Sequence, residues 1–301
     1  PRSEFLPNAT TAYTPPRLGK RPGRRAKTLE EHIRDGTFNA TRHRHLLDRP
    51  ADYGVLKYPK PAADVSRSSA KSQSKWIRNV ADERAVRNGC RFSEALANHA
   101  VEFFPRYLKH SKGEMAGQPF ELLPWQRDEI IAPIFGWIRP DGSRRIRSVY
   151  VECPKKQGKS TLASGVGVYM TAADQEAASE AYSLGTDREQ ASIVHREAVN
   201  MVEASPSLSE CFKINRSTRH MAYSATNSFY QAISSKPAGK EGLNAHVCII
   251  DELHVWRGRE LWDSLKYSQL ARRQPLQFVI TTAGDDPESI CFQQHERAAA
   301  W

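Results

Sequence analysis

Between residues 147 and 284 short β-rich runs alternate with helical segments, and no other feature limits so sharply what this chain can fold into. Arg147-Ser-Val-Tyr-Val-Glu152, Glu180-Ala-Tyr-Ser-Leu-Gly185, Ala245-His-Val-Cys-Ile-Ile250 and Leu276-Gln-Phe-Val-Ile-Thr281 read as strands. The last two are continuous apolar runs, suited to burial on both faces. Hydrophobic spacing predicts helices over 160–173, 187–204 and 260–273. Strand and helix alternating at this period give an α/β fold, a mostly parallel sheet flanked by helices. Two extended runs across 219–233 flank Thr226-Asn227 and predict a hairpin inserted at the sheet edge.

Upstream the pattern is helical. From Trp76 to about Leu108 apolar residues recur at helical spacing, as in Phe92, Leu96, His99, Ala100, Phe103 and Phe104. This predicts an amphipathic helical lead-in, with His99 packed in its core. Leu122-Leu-Pro-Trp-Gln126 turns into a second helix, Arg127 to Trp137, and Asp141-Gly142 makes a turn. Residues 1–28 are rich in Pro, Arg, Lys and Thr and are expected to form a mobile basic arm. Thr28-Leu-Glu-Glu31 fits a capping box, and the serine- and proline-bearing stretch 59–75 reads as a linker. The expected organisation is an extension and linker over 1–75, partly disordered, the lead-in over 76–145, a nucleotide-binding core over 146–285, and over 286–301 the start of a linker to a further, absent domain.

Lys and Arg number 44 against 34 Asp and Glu, a net charge of +10. Eleven of the basic residues and five of the acids fall within the first 50 positions. The excess favours a polyanionic partner such as nucleic acid; a basic surface that only keeps the chain in solution is the plain alternative. The five cysteines, Cys90, Cys153, Cys211, Cys248 and Cys291, never form a C-x-x-C pair, which argues against a disulfide framework or zinc site and for a reducing compartment. No apolar run approaches the roughly 18 residues of a membrane span, so a soluble chain with no membrane partner is expected.

Three elements carry chemistry. Cys153-Pro-Lys-Lys-Gln-Gly-Lys-Ser160 lies between a strand and a helix, where backbone N–H groups and a helix N-terminus converge on phosphates. This predicts a nucleotide contact surface of Pro154, Lys155, Lys156, Gln157, Gly158, Lys159, Ser160 and Thr161. Lys159 reaches the β and γ oxygens, and the Ser160 hydroxyl binds Mg2+. Cys153 stands where the P-loop pattern has its first glycine. The second element is Asp251-Glu252, closing the run Val247-Cys-Ile-Ile250 at the edge where open α/β sheets bind ligands. Asp251 is read as the second Mg2+ ligand and Glu252 as the residue that polarises the attacking water. The third is Thr281-Thr282-Ala283-Gly284, whose hydroxyls can report the presence of a γ-phosphate. An acidic pair after a strand is ordinarily a loop, and two threonines ending a strand are ordinary β chemistry. Their joint occurrence with Lys159 and Ser160 points to one ATP site.

The order P-K-K-Q-G-K-S, V-C-I-I-D-E-L-H, V-I-T-T-A-G over about residues 118–300 resembles the ATPase domain of the large terminase subunit of tailed bacteriophages, HK97-like branch. The resemblance implies an ASCE-type (RecA-like) P-loop fold and an ATPase motor that translocates double-stranded viral DNA into a procapsid. It implies ATP and Mg2+ as cofactors and the host cytoplasm as location. As partners it implies duplex DNA, a portal protein, a small terminase subunit and other copies of the chain in a ring. It implies that Gln126 contacts adenine, its amide donating and accepting at once. Lys155 stands where many relatives carry an arginine and offers a point charge without the bidentate fork. Arg188 and Lys240 are candidates for action in trans on a neighbouring nucleotide, while Thr186 with Glu189 gives the segment around Arg188 a capping box. His254 is similar in place to the histidine of a D-E-x-H helicase box, where it could couple nucleotide state to a loop, or it simply opens a helix. The family's C-terminal nuclease is not expected in this chain. Two readings compete: a superfamily 2 type helicase, which needs a second lobe, and a non-catalytic DNA-binding adaptor working through its basic arm.

Overall fold

The computed structural model describes residues 70–234 and 243–300. The basic arm, the Thr28–Glu31 capping box, the linker up to residue 69 and Lys240 lie outside the described residues. The lead-in is not one helix. Helix α1 (Ala70–Lys75) falls within the stretch expected as linker, and the lead-in itself opens with α2 (Val80–Arg87), β1 (Arg91–Phe92) and α3 (Glu94–Tyr107). Asn79 accepts from the Asp82 backbone N–H and Ser93 from that of Leu96, and the second of these caps starts a new helix where spacing alone predicts continuity. Trp76 stacks on Phe92 with ring centroids 4.2 Å apart and closes the small core of this region.

The second helix is also altered. Residues Gln126–Ile131 form a π-helical turn, Ala132–Gly136 form α4, and Trp137–Ile138 leave as β2, antiparallel to β1. The Ala132 N–H reaches back to the Arg127 carbonyl. Pro133 follows at once; it has no N–H to give and its ring crowds the carbonyl four residues back, so a regular α-ladder cannot run through.

The main sheet uses β3 (Ser148–Glu152), β4 (Glu180–Gly185), β5 (Phe212–Asn215), β6 (His220–Tyr223), β7 (Ser228–Ser234), β8 (Val247–Asp251) and β9 (Leu276–Thr281). The helices α5 (Lys159–Ala172), α6 (Arg188–Glu203), α7 (Pro206–Ser209), α8 (Glu260–Ser268) and α9 (Ile290–Ala299) connect and cover them. The strand order is β3-β9-β8-β4-β7-β6-β5. Only β6 runs against the others. The expected hairpin, β6 with β7, stands on the edge side of the sheet and is built into it. Strand β7 pairs in parallel with β4 over six residue pairs, from Glu180 opposite Phe229 to Gly185 opposite Ser234. The unforeseen β5 extends the sheet further; its short, half-exposed run Phe-Lys-Ile-Asn carries too little periodicity to be read alone.

Helix α8 ends at Ser268, short of residue 273. Pro275 pushes the residue before it into extended backbone, and the Gln269 amide donates to the Leu276 carbonyl across the turn. Residues read as the start of a linker instead form α9, capped by Ser289 and anchored by buried Ile290 and Cys291.

Both central strands β8 and β9 are buried along their whole length. Alternation assigns their side chains to opposite layers. Val247, Ile249, Phe278 and Ile280 join the larger core with Leu162, Val166 and Met170 of α5. Cys248, Ile250 and Val279 face Trp262, Leu265 and Ile290 on the other side. Burying such side chains is worth roughly 1.5–3 kcal/mol each, which holds the three strands that carry the chemical elements in one register. Among the described residues no helix is long and apolar enough to cross a membrane.

Candidate nucleotide site

The register brings the three elements together. Glu152 lies opposite Thr281 and Asp251 opposite Ile280, so β3, β9 and β8 end level with one another. The ladder continues one step further, with Cys153 N–H to the Thr281 carbonyl at 3.2 Å and Glu252 N–H to the Ile280 carbonyl at 2.9 Å. The loop after β3, the acidic pair after β8 and the threonines of β9 therefore emerge on one edge.

The loop turns sharply into α5. Gly158 at φ 78°, ψ 12° precedes the helix and Lys156 also has positive φ, 69°. At Gly158 an L side chain would be strained, since that backbone region is left-handed. Pro154, Lys155, Lys156, Gln157 and Gly158 are exposed, Ser160 and Thr161 are half-buried, and Lys159 is only 5% exposed. The buried ammonium lies 3.3 Å from Glu252 Oε1. This contact ties the first residue of α5 to the end of β8, about 90 positions later.

Asp251 is 3% exposed and its Oδ1 has no hydrogen-bond partner among the described residues. Burial, with the neighbouring Glu252 charge, pushes its carboxyl up to about 7, against a smaller opposing pull from Lys159. A buried oxygen with no donor facing it is the environment that a divalent cation would satisfy.

Glu252 itself is held in the left-handed region, φ 49°, ψ 56°. Its Oε2 lies 3.1 Å from His254 Nδ1 and 3.5 Å from Thr282 Oγ1. His254 does not open a helix. It sits in a single 3-10 turn, Leu253–Val255, its backbone N–H donating to Thr281 Oγ1 at 3.2 Å and its Nδ1 3.1 Å from the same oxygen. Thr281 is fully buried and also lies 3.9 Å from Cys291 Sγ in α9, whereas Ala283 and Gly284 are exposed. The contacts of His254 are the part of the site that the sequence reading missed. The D-E-x-H spacing was the available signal.

Gln126 is 2% exposed rather than facing solvent. Its Oε1 accepts from the Leu123 backbone N–H at 3.0 Å, and its Nε2 lies against Gly158. The carbonyl that was expected to accept from a base is already engaged in its own turn, which leaves the donor side towards the phosphate loop. A cavity bounded by Trp125, Ile130, Val151, Pro154 and Gln157 opens beside it. Arg188 is exposed at the start of α6. The cap of that helix is Asp187, which accepts from Glu189 and Gln190 at 2.8 Å, and not Thr186; the aspartate is one residue nearer to the donors that need an acceptor.

Residues 124–300 match the sequence profile of the family described as "Terminase large subunit, ATPase domain". The chain belongs to that family. It is 29% identical over 194 residues to the terminase large subunit of Enterobacteria phage HK97, a match that covers 63% of this chain and 37% of that protein. The crystal structure of the HK97 bacteriophage large terminase superimposes with a TM-score of 0.59 at 25% identity, over 68% of this chain and 41% of that one. The chain thus spans well under two thirds of the length of these relatives. Its mostly parallel sheet, with the phosphate-loop strand and the Asp251 strand separated by β9, is the P-loop fold of these terminase ATPase domains.

Proposed function

We propose that this chain is the ATP-hydrolysing motor domain of a terminase, driving double-stranded viral DNA into a procapsid in the host cytoplasm. The observation that carries the reading is the Lys159–Glu252 contact at 3.3 Å beside an unsatisfied Asp251 oxygen, all at the edge where the phosphate loop turns into α5. Backbone N–H groups of residues 155–160 and the α5 N-terminus bind the phosphate oxygens. Lys159 leaves Glu252 to neutralise the β and γ oxygens. Ser160 and Asp251 are the residues that would hold Mg2+, which would supply positive charge to offset the negative charge that develops on the phosphates. Glu252, freed at Oε1, orients water against the γ-phosphorus and takes its proton as the bond to the β–γ bridging oxygen breaks. Thr281 and Thr282 sense the change at the γ position. Gln126, its Oε1 engaged by the Leu123 N–H and its Nε2 beside Gly158, is the family reading's candidate for the adenine contact.

The family reading supplies a ring of copies on a portal protein and a small terminase subunit that hands over the DNA; the basic excess of the first 50 residues, apart from the family, supports duplex binding by the N-terminal arm. In such a ring Arg188, exposed at the sheet edge, is the candidate for completing a neighbour's site, and Lys155, exposed in the loop beside Lys156, is a second candidate cation. The test is turnover. Purified chain with Mg2+ hydrolyses ATP, and Lys159→Ala or Glu252→Gln lowers kcat by at least about 10²-fold, the scale on which electrostatic and positioning groups act, with unfolding midpoints unchanged. Parental rates in both variants would refute the assignment.

A further inference from the structure

The geometry points to His254 as a positioning residue that fixes the Glu252 carboxylate and joins it to Thr281 and Thr282. The inference rests on the reading of Glu252 as the group that activates water. Each carboxylate oxygen of Glu252 has its own cationic or donor neighbour, Lys159 on Oε1 at 3.3 Å and His254 Nδ1 on Oε2 at 3.1 Å. Binding of a triphosphate withdraws Lys159, and only the Oε2 side then retains a partner. A glutamate at φ 49° aims its side chain from an uncommon backbone conformation, and such a conformation persists where neighbours over-determine it.

His254 has the connections for that task. Thr281 Oγ1 donates to the Thr282 carbonyl at 2.9 Å. The same oxygen accepts from the His254 backbone N–H at 3.2 Å. The imidazole therefore stands on a fixed base, and a proton on Nδ1 is shared between the carboxylate and the threonine oxygen; the charged acceptor is the stronger. Packing does not explain the residue. His254 is half-buried with 22% of its side chain exposed, while Leu253 next to it is fully buried and fills the core. Gly284 closes the opposite side, where a Cβ would come within 3.1 Å of His254 Cβ. The threonines at the end of β9 thus touch the water-activating carboxylate both directly, through Thr282 at 3.5 Å, and through His254.

The atom that matters is Nδ1, and this sets the experiment. In the 301-residue chain, steady-state ATP hydrolysis is measured for His254→Ala, His254→Asn and His254→Gln beside Glu252→Gln. Loss of a hydrogen bond to a charged group lowers kcat by about 10- to 100-fold. His254→Ala shows that loss with KM for ATP within about twofold, as expected for an interaction that serves the transition state. His254→Asn, whose amide nitrogen falls near the place of Nδ1, recovers most of the rate; His254→Gln, whose amide reaches towards Nε2, does not. If the alanine variant fails to fold, the contrast between Asn and Gln decides alone. Parental kcat in all three, equal losses in Asn and Gln, or a KM that rises in step with the fall in kcat overturns the inference. Parental turnover in Glu252→Gln would instead overturn the assignment of the glutamate itself.

Discussion

Replacing Asp251 by Asn removes a charge that the folded chain holds in an unfavourable place, and the sign of the effect reverses with pH. The carboxyl is pushed from its ordinary value near 4 up to about 7, chiefly by burial and next by Glu252. A group whose folded pKa lies above its unfolded one stabilises the fold only while it is protonated. The penalty is absent below about pH 4, grows as pH rises from about 4 to 7, and is complete above that. A displacement of about three pH units at about 1.4 kcal/mol each gives roughly 4 kcal/mol. An amide in the same place leaves its N–H2 without an acceptor, which costs about 1–3 kcal/mol. With a chelator present and no nucleotide, Asp251→Asn is therefore expected to be more stable than the parent by about 1–3 kcal/mol at pH 8 and no more stable, or less, at pH 4.5. Urea unfolding followed by far-UV circular dichroism across that range measures it. The same variant should lose the stabilisation that Mg2+ with a non-hydrolysable ATP analogue gives the parent. A pH-independent difference between the two proteins would mean that Asp251 is not desolvated in the folded chain, and the metal assignment would lose its physical ground.

Two further outcomes follow from the packing. Gly185 closes β4, and a Cβ there would lie 2.5 Å from the Ala191 backbone nitrogen; Gly185→Ala must push α6 off the sheet edge and should lower stability by about 1–3 kcal/mol, read as a fall in the urea midpoint. Arg144 grips buried Asp174 through Nη1 and Nη2, at 3.1 and 2.7 Å, and His246 Nε2 lies 2.7 Å from the same carboxylate. Burial works to raise the Asp174 pKa, but Arg144 and His246 hold it below the usual carboxylate range. Arg144→Met should therefore cost about 3–5 kcal/mol by stranding that charge, whereas Arg144→Met with Asp174→Leu should recover much of it; equal loss in the single and double variants would contradict the ion-pair account.

The alternation of β-rich runs and helices was enough to give the parallel sheet, because strands buried on both faces must be continuously apolar and β8 and β9 are. Gly-Lys-Ser after a strand and Asp-Glu after an apolar run were equally legible, since each rests on local chemistry: a glycine where the chain must turn left-handed, and carboxylates at a strand end. Local caps were weaker guides. Ser93 broke a helix that hydrophobic spacing had joined, Pro133 converted another into a π-helical turn, and Asp187 took the cap assigned to Thr186. The short β5 and the place of β7 beside β4 escaped because strand pairing is chosen between segments far apart in sequence, and no single segment encodes its neighbour.

Residue type and spacing alone determined which side chains could bind phosphate, hold a cation or activate water, because those capacities belong to the functional groups themselves. Only the tertiary structure decided what each group faces. The level ends of β3, β9 and β8 put Lys159 against Glu252, left an Asp251 oxygen without a donor, turned the Gln126 carbonyl back on its own chain and made His254 a neighbour of the glutamate. Those relations arise from strand register and burial, which are properties of the whole folded chain and are written in no one stretch of it.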